Sequence, residues 1–375
     1  MPPISRILSS VSTLILIFLM VSCAPVDGVL KNSAGGPIIK VAILKVAGSV
    51  TISGEKLLLD MDGMRLEPQR STLVFEAFDG ALTLEGRIYH PKLLSIHGSH
   101  IRLNDRPYRG NLSIIIDGDL ITVINSLALE DYLFGLINHE ISSKWPLEAV
   151  KAQAVAARTY AYLKIGSNSD KAYHLESTVI DQVYGGSSME DERARRAVRE
   201  TKGEMLYYGN DLARTFYHSS CGGRTEAAQN VWGSDFPYLK TVEDEFCADA
   251  PNYFWSYEST FDSIYAAMKE EGYPFTKNHD IRVLDRSKSG RVLSIIIGGV
   301  ELPGTKFRQL IGYGMIKSTM FELEVKEGSV IFSGSGSGHG VGMCQWGAKG
   351  MAEEGRSYRQ ILEHYYSGTV LKKQY

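Results

Sequence analysis

From Ile38 onward the chain alternates apolar and polar positions in short runs. Ile39-Lys40-Val41-Ala42-Ile43-Leu44 begins the pattern, and Val50-Thr51-Ile52-Ser53-Gly54 continues it. A period of two predicts strands with one buried face. The runs Leu112–Ile116 and Leu120–Ile124 flank Asp117-Gly118-Asp119, and strand-like runs around Asp-Gly predict a hairpin. Residues 38–127 therefore read as a β-rich N-terminal region. The period changes at Leu129, where LEDYLFGLINHEISSKWPLEAVKAQAVAARTYAYLK carries helical signals as far as Ile165. Pro146 suits a first helical position, and Glu148 falls in the first turn, where the helix dipole favours negative charge. Leu147, Val150, Ala154, Ala157 and Ala161 recur at three- and four-residue steps and predict an apolar stripe. A neighbouring stripe carries Lys151, Val155, Arg158 and Tyr162. Near the end, Ser357 and Gln360 predict a capped helix over Tyr358–Tyr366. The fold class expected from these patterns is α+β.

The first residues are patterned differently. Arg6 is the only basic residue ahead of an apolar run from Val11 to Val21. That run is too short to span a bilayer comfortably and reads as the core of a signal peptide over residues 1–22. Met20-Val21-Ser22-Cys23 resembles a bacterial lipobox, with Met20 where leucine is usual, and predicts lipidation of Cys23. An ordinary cleaved signal is the alternative. Residues 23–37 then form the anchor and a polar, Gly-containing spacer. The expected location is the cell envelope, as an exported lipoprotein whose fold meets an oxidising space. What remains, about 340 residues, suffices for two domains or one elaborated domain. A formal net charge of −3 with mixed signs leaves no footprint for nucleic acid.

Candidate chemistry centres on Glu140. Tyr132, Ile141 and Trp145 are available to desolvate it, and His139 adjoins it. An acid that must stay protonated near neutral pH needs such surroundings, because burial disfavours the charged form. The plainer alternative is a capping or solvated loop glutamate.

The same stretch resembles the core of the stage II sporulation protein D (SpoIID/LytB) family. The family pattern of Glu-Tyr-Leu, then Glu-Met-Pro, then Trp-Pro aligns with LEDYLFGLINHEISSKWP, with Glu-Ile-Ser in place of Glu-Met-Pro. Asp181-Gln182-Val183-Tyr184-Gly185-Gly186 is similar to its Gln-Val-Tyr-Gly element. Phe216 to Thr225, Val231-Trp232 and Pro237-Tyr238-Leu239 follow in the family's order. Gly338-His339-Gly340-Val341-Gly342-Met343-Cys344-Gln345-Trp346-Gly347-Ala348 is close to its signature. Residues 259–314 match least and read as an α+β insertion within a mixed α/β domain over 128–375.

Characterised members of that family cleave peptidoglycan glycan strands. The resemblance thus implies a substrate cleft, with Glu140 as general acid and base and Arg158 as the cleft arginine of the ARTY motif. Sugar rings present apolar faces edged with hydroxyls. Trp145, Tyr184, Trp232 and Trp346 suit the faces, while Gln182, Gln345 and Arg224 suit the rims. His218 and His339 complete the expected contacts, each weighed against a structural role. The implied reaction is a lytic transglycosylation: Glu140 protonates the leaving oxygen, then takes the C6 hydroxyl proton as a 1,6-anhydro ring closes. An intramolecular nucleophile makes a second carboxylate unnecessary; Glu130 and Asp131 are candidates only for hydrolysis. No cofactor is required. The implied partners are glycan strands, a cell-wall amidase and the membrane beneath the lipid. A non-catalytic glycan-binding or amidase-enhancing protein is the rival expectation.

With Cys23 assigned to lipid, Cys221, Cys247 and Cys344 remain, an odd number in an oxidising space. A Cys221–Cys247 disulfide is the simplest reading. His218, Cys221 and Cys247 as a zinc site is the alternative, and free thiols are the third.

Overall fold

A computed structural model describes residues 36–178 and 181–375, so the signal segment and the lipidated Cys23 lie outside the described residues. The alternating segments pair into one large sheet. Strands Ile38–Ala47, Leu120–Ala128, Asn111–Asp117, Leu94–Leu103, Ser49–Met61, Thr72–Phe78, Ala81–Leu84 and Arg87–Tyr89 lie side by side in that order. Neighbours along this path run antiparallel. Strict alternation of buried and exposed residues along Thr72–Phe78 shows why the pattern was readable. The expected hairpin forms, with Asp117 paired to Leu120 and a two-residue Gly118-Asp119 loop between them. Gly118 takes φ +58°, which glycine tolerates without strain. A short strand, Leu175–Glu176, adds in parallel to the Ile38–Ala47 edge.

Helix α1 (Leu129–Glu140) continues directly from Leu120–Ala128, so the sheet fixes where its last turn points. Helix α2 (Leu147–Ser167) starts one residue later than the sequence predicts, with Pro146 as its N-cap rather than its first helical residue. The expected single apolar stripe is a correction, however. Residues around the whole circumference of α2 are buried, from Ala149 through Arg158 to Tyr162. It is a central helix, touched by α1, by α3 (Glu192–Glu200), by the strand Glu204–Tyr208 and by two C-terminal helices, Gln345–Glu353 and Tyr358–Tyr365. Its run of alanines lets all of these approach. Helix Tyr358–Tyr365 carries the expected Ser357/Gln360 capping box.

The insertion has its own hydrophobic cluster, built on Ile264, Tyr265, Phe307 and Phe332. It extends further than residues 259–314. Strand Ser329–Ser335 pairs with both Phe254–Thr260 and Phe321–Lys326, so the chain leaves and returns through adjacent strands. No described helix is long and apolar enough to cross a membrane.

Candidate active site

Glu140 is the last residue of α1, where Ile141 turns the backbone into an extended conformation. Its side chain lies in a cleft of about 1020 Å³. Burial pushes the carboxyl up from 4.5 to about 7. Three donors pull the other way: the Val183 N–H at 3.1 Å, the Tyr217 hydroxyl and the Gln345 amide. Behind these donors runs a buried relay. Tyr132 donates its hydroxyl to Gln182 Oε1 at 3.0 Å, and Gln182 Nε2 donates to the Tyr217 oxygen at 2.9 Å. With its oxygen already accepting, Tyr217 is left to aim its proton at Glu140. Tyr217→Phe removes one stabiliser of the carboxylate, so the Glu140 pKa is expected to rise above 7. A carboxyl NMR titration checks this, and an unmoved midpoint would count against the relay.

One cleft wall is aromatic. Phe216 and Trp232 have ring centroids 4.4 Å apart, and Trp232 and His339 5.0 Å. Trp232 is 45% exposed, an apolar plate open to the cleft. On the glycan-cleaving activity that the family resemblance implies, Trp232→Ala is expected to weaken glycan binding about tenfold, or ~1.4 kcal/mol, with stability shifted by no more than about 0.5 kcal/mol as for an exposed site. Sedimentation with sacculi and thermal unfolding read the two effects separately.

The two histidines are neutral hydrogen-bonding groups. His339 Nδ1 accepts from the Val341 N–H at 3.0 Å, which leaves the proton on Nε2, and burial lowers its pKa to about 4. His218 Nδ1 lies 3.2 Å from the Val341 carbonyl and carries the proton there, leaving a buried, unpartnered Nε2. Burial takes its pKa well below 6.5. The glycines of the signature allow this backbone. Gly340 has φ +83°, and a Cβ there would meet the Arg291 guanidinium at 2.5 Å; at Gly342 it would meet the Phe216 carbonyl at 2.1 Å.

Across the cleft, Asp181 Oδ1 accepts from Tyr160 at 2.8 Å and Lys164 at 2.7 Å, and Oδ2 from the Glu176 N–H at 3.0 Å. Burial opposes its charge, but Lys164, the Glu176 N–H and Tyr160 outweigh that and lower its pKa. Asp181 is thus an ionised residue with both oxygens engaged, not free to direct a water.

Of the expected site residues, Glu140, His218, His339 and Gln345 come together in the cleft. Gln182 stands one layer behind, holding Tyr217. Arg158 is a correction. Its guanidinium is completely buried, bidentate to Glu130 at 2.8 and 2.9 Å, and bonded to the Val198 carbonyl at 3.1 Å. A side chain enclosed on the central helix cannot reach a polymer. Tyr184 is likewise core, packed on Tyr132 and Tyr108 with its hydroxyl on Asn125 at 3.0 Å. Arg224 is exposed, paired with Glu243, and lines a separate concavity of about 890 Å³. Trp346 packs on Trp145 at 5.0 Å, under Lys349, rather than on the cleft wall beside Glu140. Glu130 is committed to Arg158, and Asp131, whose pKa is raised by burial, lies outside the cleft.

The cysteine expectations also change. Cys221 and Cys247 are free, with sulfurs 3.5 Å apart, against about 2.05 Å for a disulfide. His218 belongs to the cleft and is not their companion. Asp244 and Cys344 are, and the four donor atoms lie within 4.8 Å of one another. Tyr217 and Asp244 carry no signal in the residue-by-residue reading, and Cys344 reads there as an odd thiol, because only folding joins residues 217–221 to 343–345. The strand Tyr217–His218 runs parallel to Met343–Cys344 and makes that junction.

Comparison with known proteins agrees with this architecture. A stage II sporulation protein family model matches residues 117–208, and a domain of unknown function (DUF8618) matches 245–342. Stage II sporulation protein D of Bacillus amyloliquefaciens is 31% identical over 266 residues, covering 67% of this chain and 76% of the relative. The chain belongs to the stage II sporulation protein D family. An uncharacterized protein of Brachyspira hyodysenteriae is 36% identical over 267 residues, 71% of this chain and 72% of that one. The amidase enhancer of Bacillus subtilis is 31% identical over 64% of this chain, which spans only 40% of that longer protein. The DUF8618 match spans the separate hydrophobic cluster that includes Tyr265 and Phe307. In this family's signature, Gly340 and Gly342 shape the turn, His339 lines the cleft and Gln345 reaches the acid.

Proposed function

We propose that the protein is an exported lytic transglycosylase that cleaves the MurNAc–GlcNAc strands of peptidoglycan, with Glu140 as acid and base. The observation that carries the reading is the Glu140 carboxyl, pushed up to about 7 by burial in a cleft walled by Trp232 and His339, whose other carboxylate, Asp181, is held by Tyr160 and Lys164. Membership of the family and likeness to an amidase enhancer support a cell-wall-related role.

Near neutral pH a substantial fraction of Glu140 is protonated and able to donate to the glycosidic oxygen as the bond to C1 of N-acetylmuramic acid breaks. The resulting carboxylate, steadied by Val183, Tyr217 and Gln345, takes the C6 hydroxyl proton. The C6 oxygen closes on C1 to give the 1,6-anhydro ring, and Glu140 ends protonated as it began. Since the nucleophile belongs to the same sugar, no second carboxylate is needed, which suits an Asp181 already saturated by its partners. The cycle as written uses no cofactor. Strands stripped of stem peptides suit an open cleft, and a cell-wall amidase is the enzyme class that would supply them. A lipid on Cys23 would hold the fold against a membrane of the envelope.

Likeness to an amidase enhancer favours one second reading, a non-catalytic glycan-binding protein that assists an amidase. Mass spectrometry of soluble products from amidase-stripped strands separates the two. Fragments ending in 1,6-anhydro-muramic acid support the transglycosylase; intact strands that co-sediment with the protein support the enhancer. Reducing ends would indicate hydrolysis instead.

A further inference from the structure

Behind the cleft wall, three chain segments meet at a closed cluster of donors. Cys221 lies in the loop after His218. Asp244 caps the short 3-10 turn Glu245–Cys247, which presents Cys247, and Cys344 caps helix Gln345–Glu353. All four residues are buried, at 1% exposure or less. The Cys221 sulfur lies 3.5 Å from the Cys247 sulfur and 3.1 Å from Asp244 Oδ2. A tetrahedral zinc ion with Zn–S bonds near 2.3 Å sets its sulfurs about 3.8 Å apart, and a carboxylate oxygen about 3.6 Å from each. The cluster has the size of one such site.

We propose that Cys221, Cys247, Cys344 and Asp244 bind one structural zinc ion. The ion would clamp the His218 loop to the helix that begins at Gln345. The donor set is three soft thiolates and one oxygen, which favours zinc over hard cations such as magnesium or calcium. Four protein ligands leave no open position, the mark of a structural rather than a catalytic site. Binding displaces the thiol protons to solvent as the metal–sulfur bonds form.

The surroundings already complement such a cluster. Backbone N–H groups of Cys221 and Gly347 both point at the Cys344 sulfur from 3.3 Å, and the second of these is the helix N-terminal amide. Tyr365 donates its hydroxyl to Asp244 Oδ2 at 2.9 Å, and Phe246 N–H donates to Oδ1 at 3.1 Å, which orients the carboxylate. Outer partners of this kind hold metal ligands in place. Gly347 has no side chain because Asp244 and Tyr365 occupy the space: a Cβ there would lie 2.3 Å from Asp244 Oδ2. A separate observation points to negative charge at the cluster. Arg291 is buried at 1% exposure, and its hydrogen bonds go to neutral acceptors: the Cys221 and Arg224 carbonyls and the Ser289 hydroxyl. Its Nε has no partner. The Glu226 carboxylate is reached only through the Ser289 hydroxyl, and the Cys221 carbonyl ties the guanidinium directly to the cluster. A buried cation is costly unless matched by opposite charge, and zinc bound by three thiolates and a carboxylate carries a net negative charge.

The site is distinct from the Glu140 chemistry, and its test does not depend on turnover. The full chain, purified without chelator, is examined by elemental analysis and native mass spectrometry. One zinc per chain is expected, falling below about a tenth of that in Cys247→Ser. Asp244→Asn keeps the shape of the side chain and is expected to bind zinc some 10- to 100-fold more weakly. Cobalt exchanged into the wild-type chain should show sulfur-to-metal charge-transfer absorption and the intense visible bands of tetrahedral coordination. Should the serine variant fail to fold, this cobalt spectrum decides the question without it. A metal-free chain lighter by two hydrogens, showing a disulfide among the three cysteines, would overturn the proposal. So would a metal-free chain with three titratable thiols that takes up no zinc or cobalt.

Discussion

Glu140→Gln is expected to abolish release of anhydro-muramic ends, by a factor of about 10²–10⁴ for loss of a general acid–base, while binding to sacculi survives. Glutamine keeps the shape and the contacts with Val183 but neither gives nor takes a proton. Turnover within tenfold of wild type would sink the role assigned to Glu140. The pH dependence follows from the pKa near 7: the acid step requires the protonated form, so rates should fall about tenfold per unit well above pH 7. Stability should also fall with rising pH, over a lower window. The folded chain holds this proton more tightly than the unfolded chain, whose carboxyl titrates near 4.5. Stability therefore declines as pH rises from 4.5 through 7 and stays reduced above that. The glutamine variant escapes this loss, so its thermal midpoint at pH 8 should exceed that of the wild type. A variant that is inactive yet more stable would mark Glu140 as a residue kept at some cost to the fold.

The largest loss of stability is expected from Arg158→Ala. The guanidinium is fully enclosed and Glu130 is only 17% exposed, so the truncation leaves a mostly buried carboxylate with Tyr375 as its remaining donor. Breaking one side of a buried pair costs about 3–5 kcal/mol. The double variant Glu130→Leu with Arg158→Met should recover much of this, because no unpaired charge remains. Urea unfolding of the wild type and the two variants reads the loss and its recovery. A single-variant loss under about 1 kcal/mol would mean that water reaches the pair and screens it. The same experiment bears on function: glycan binding by folded Arg158→Ala should match the wild type, since Arg158 does not face the cleft.

Both variants expose a difference between what was legible early and what was not. Local patterning carried the β-rich region, the Asp117–Asp119 hairpin, the start of α2 to within one residue of Pro146 and the Ser357 capping box, because each depends on neighbours close in sequence. The desolvation of Glu140 was half legible. Sequence proximity offers Tyr132 as a neighbour, yet it acts through Gln182 and Tyr217 rather than by contact alone. Arg158 misled because a helix periodicity assigns a face but not what covers it. The small alanines of α2 admit elements on every side, so its apparently polar stripe is buried as well.

The sequence by itself determined the class of secondary structure along the chain, the family, and Glu140 as a carboxyl with apolar neighbours. These rest on residue type and short spacing, which survive in one dimension. Tertiary structure alone decided which residues share the cleft, which are core, and how the cysteines group. Glu140, Tyr217 and Gln345 are joined across two hundred positions by the parallel pairing of Tyr217–His218 with Met343–Cys344. That pairing also brings Cys344 beside Cys221, and the turn at Asp244 carries Cys247 to both. Distances, burial and hydrogen-bond direction are properties of the folded chain, and they separate a cleft histidine from a metal ligand and a buried ion pair from a substrate arginine.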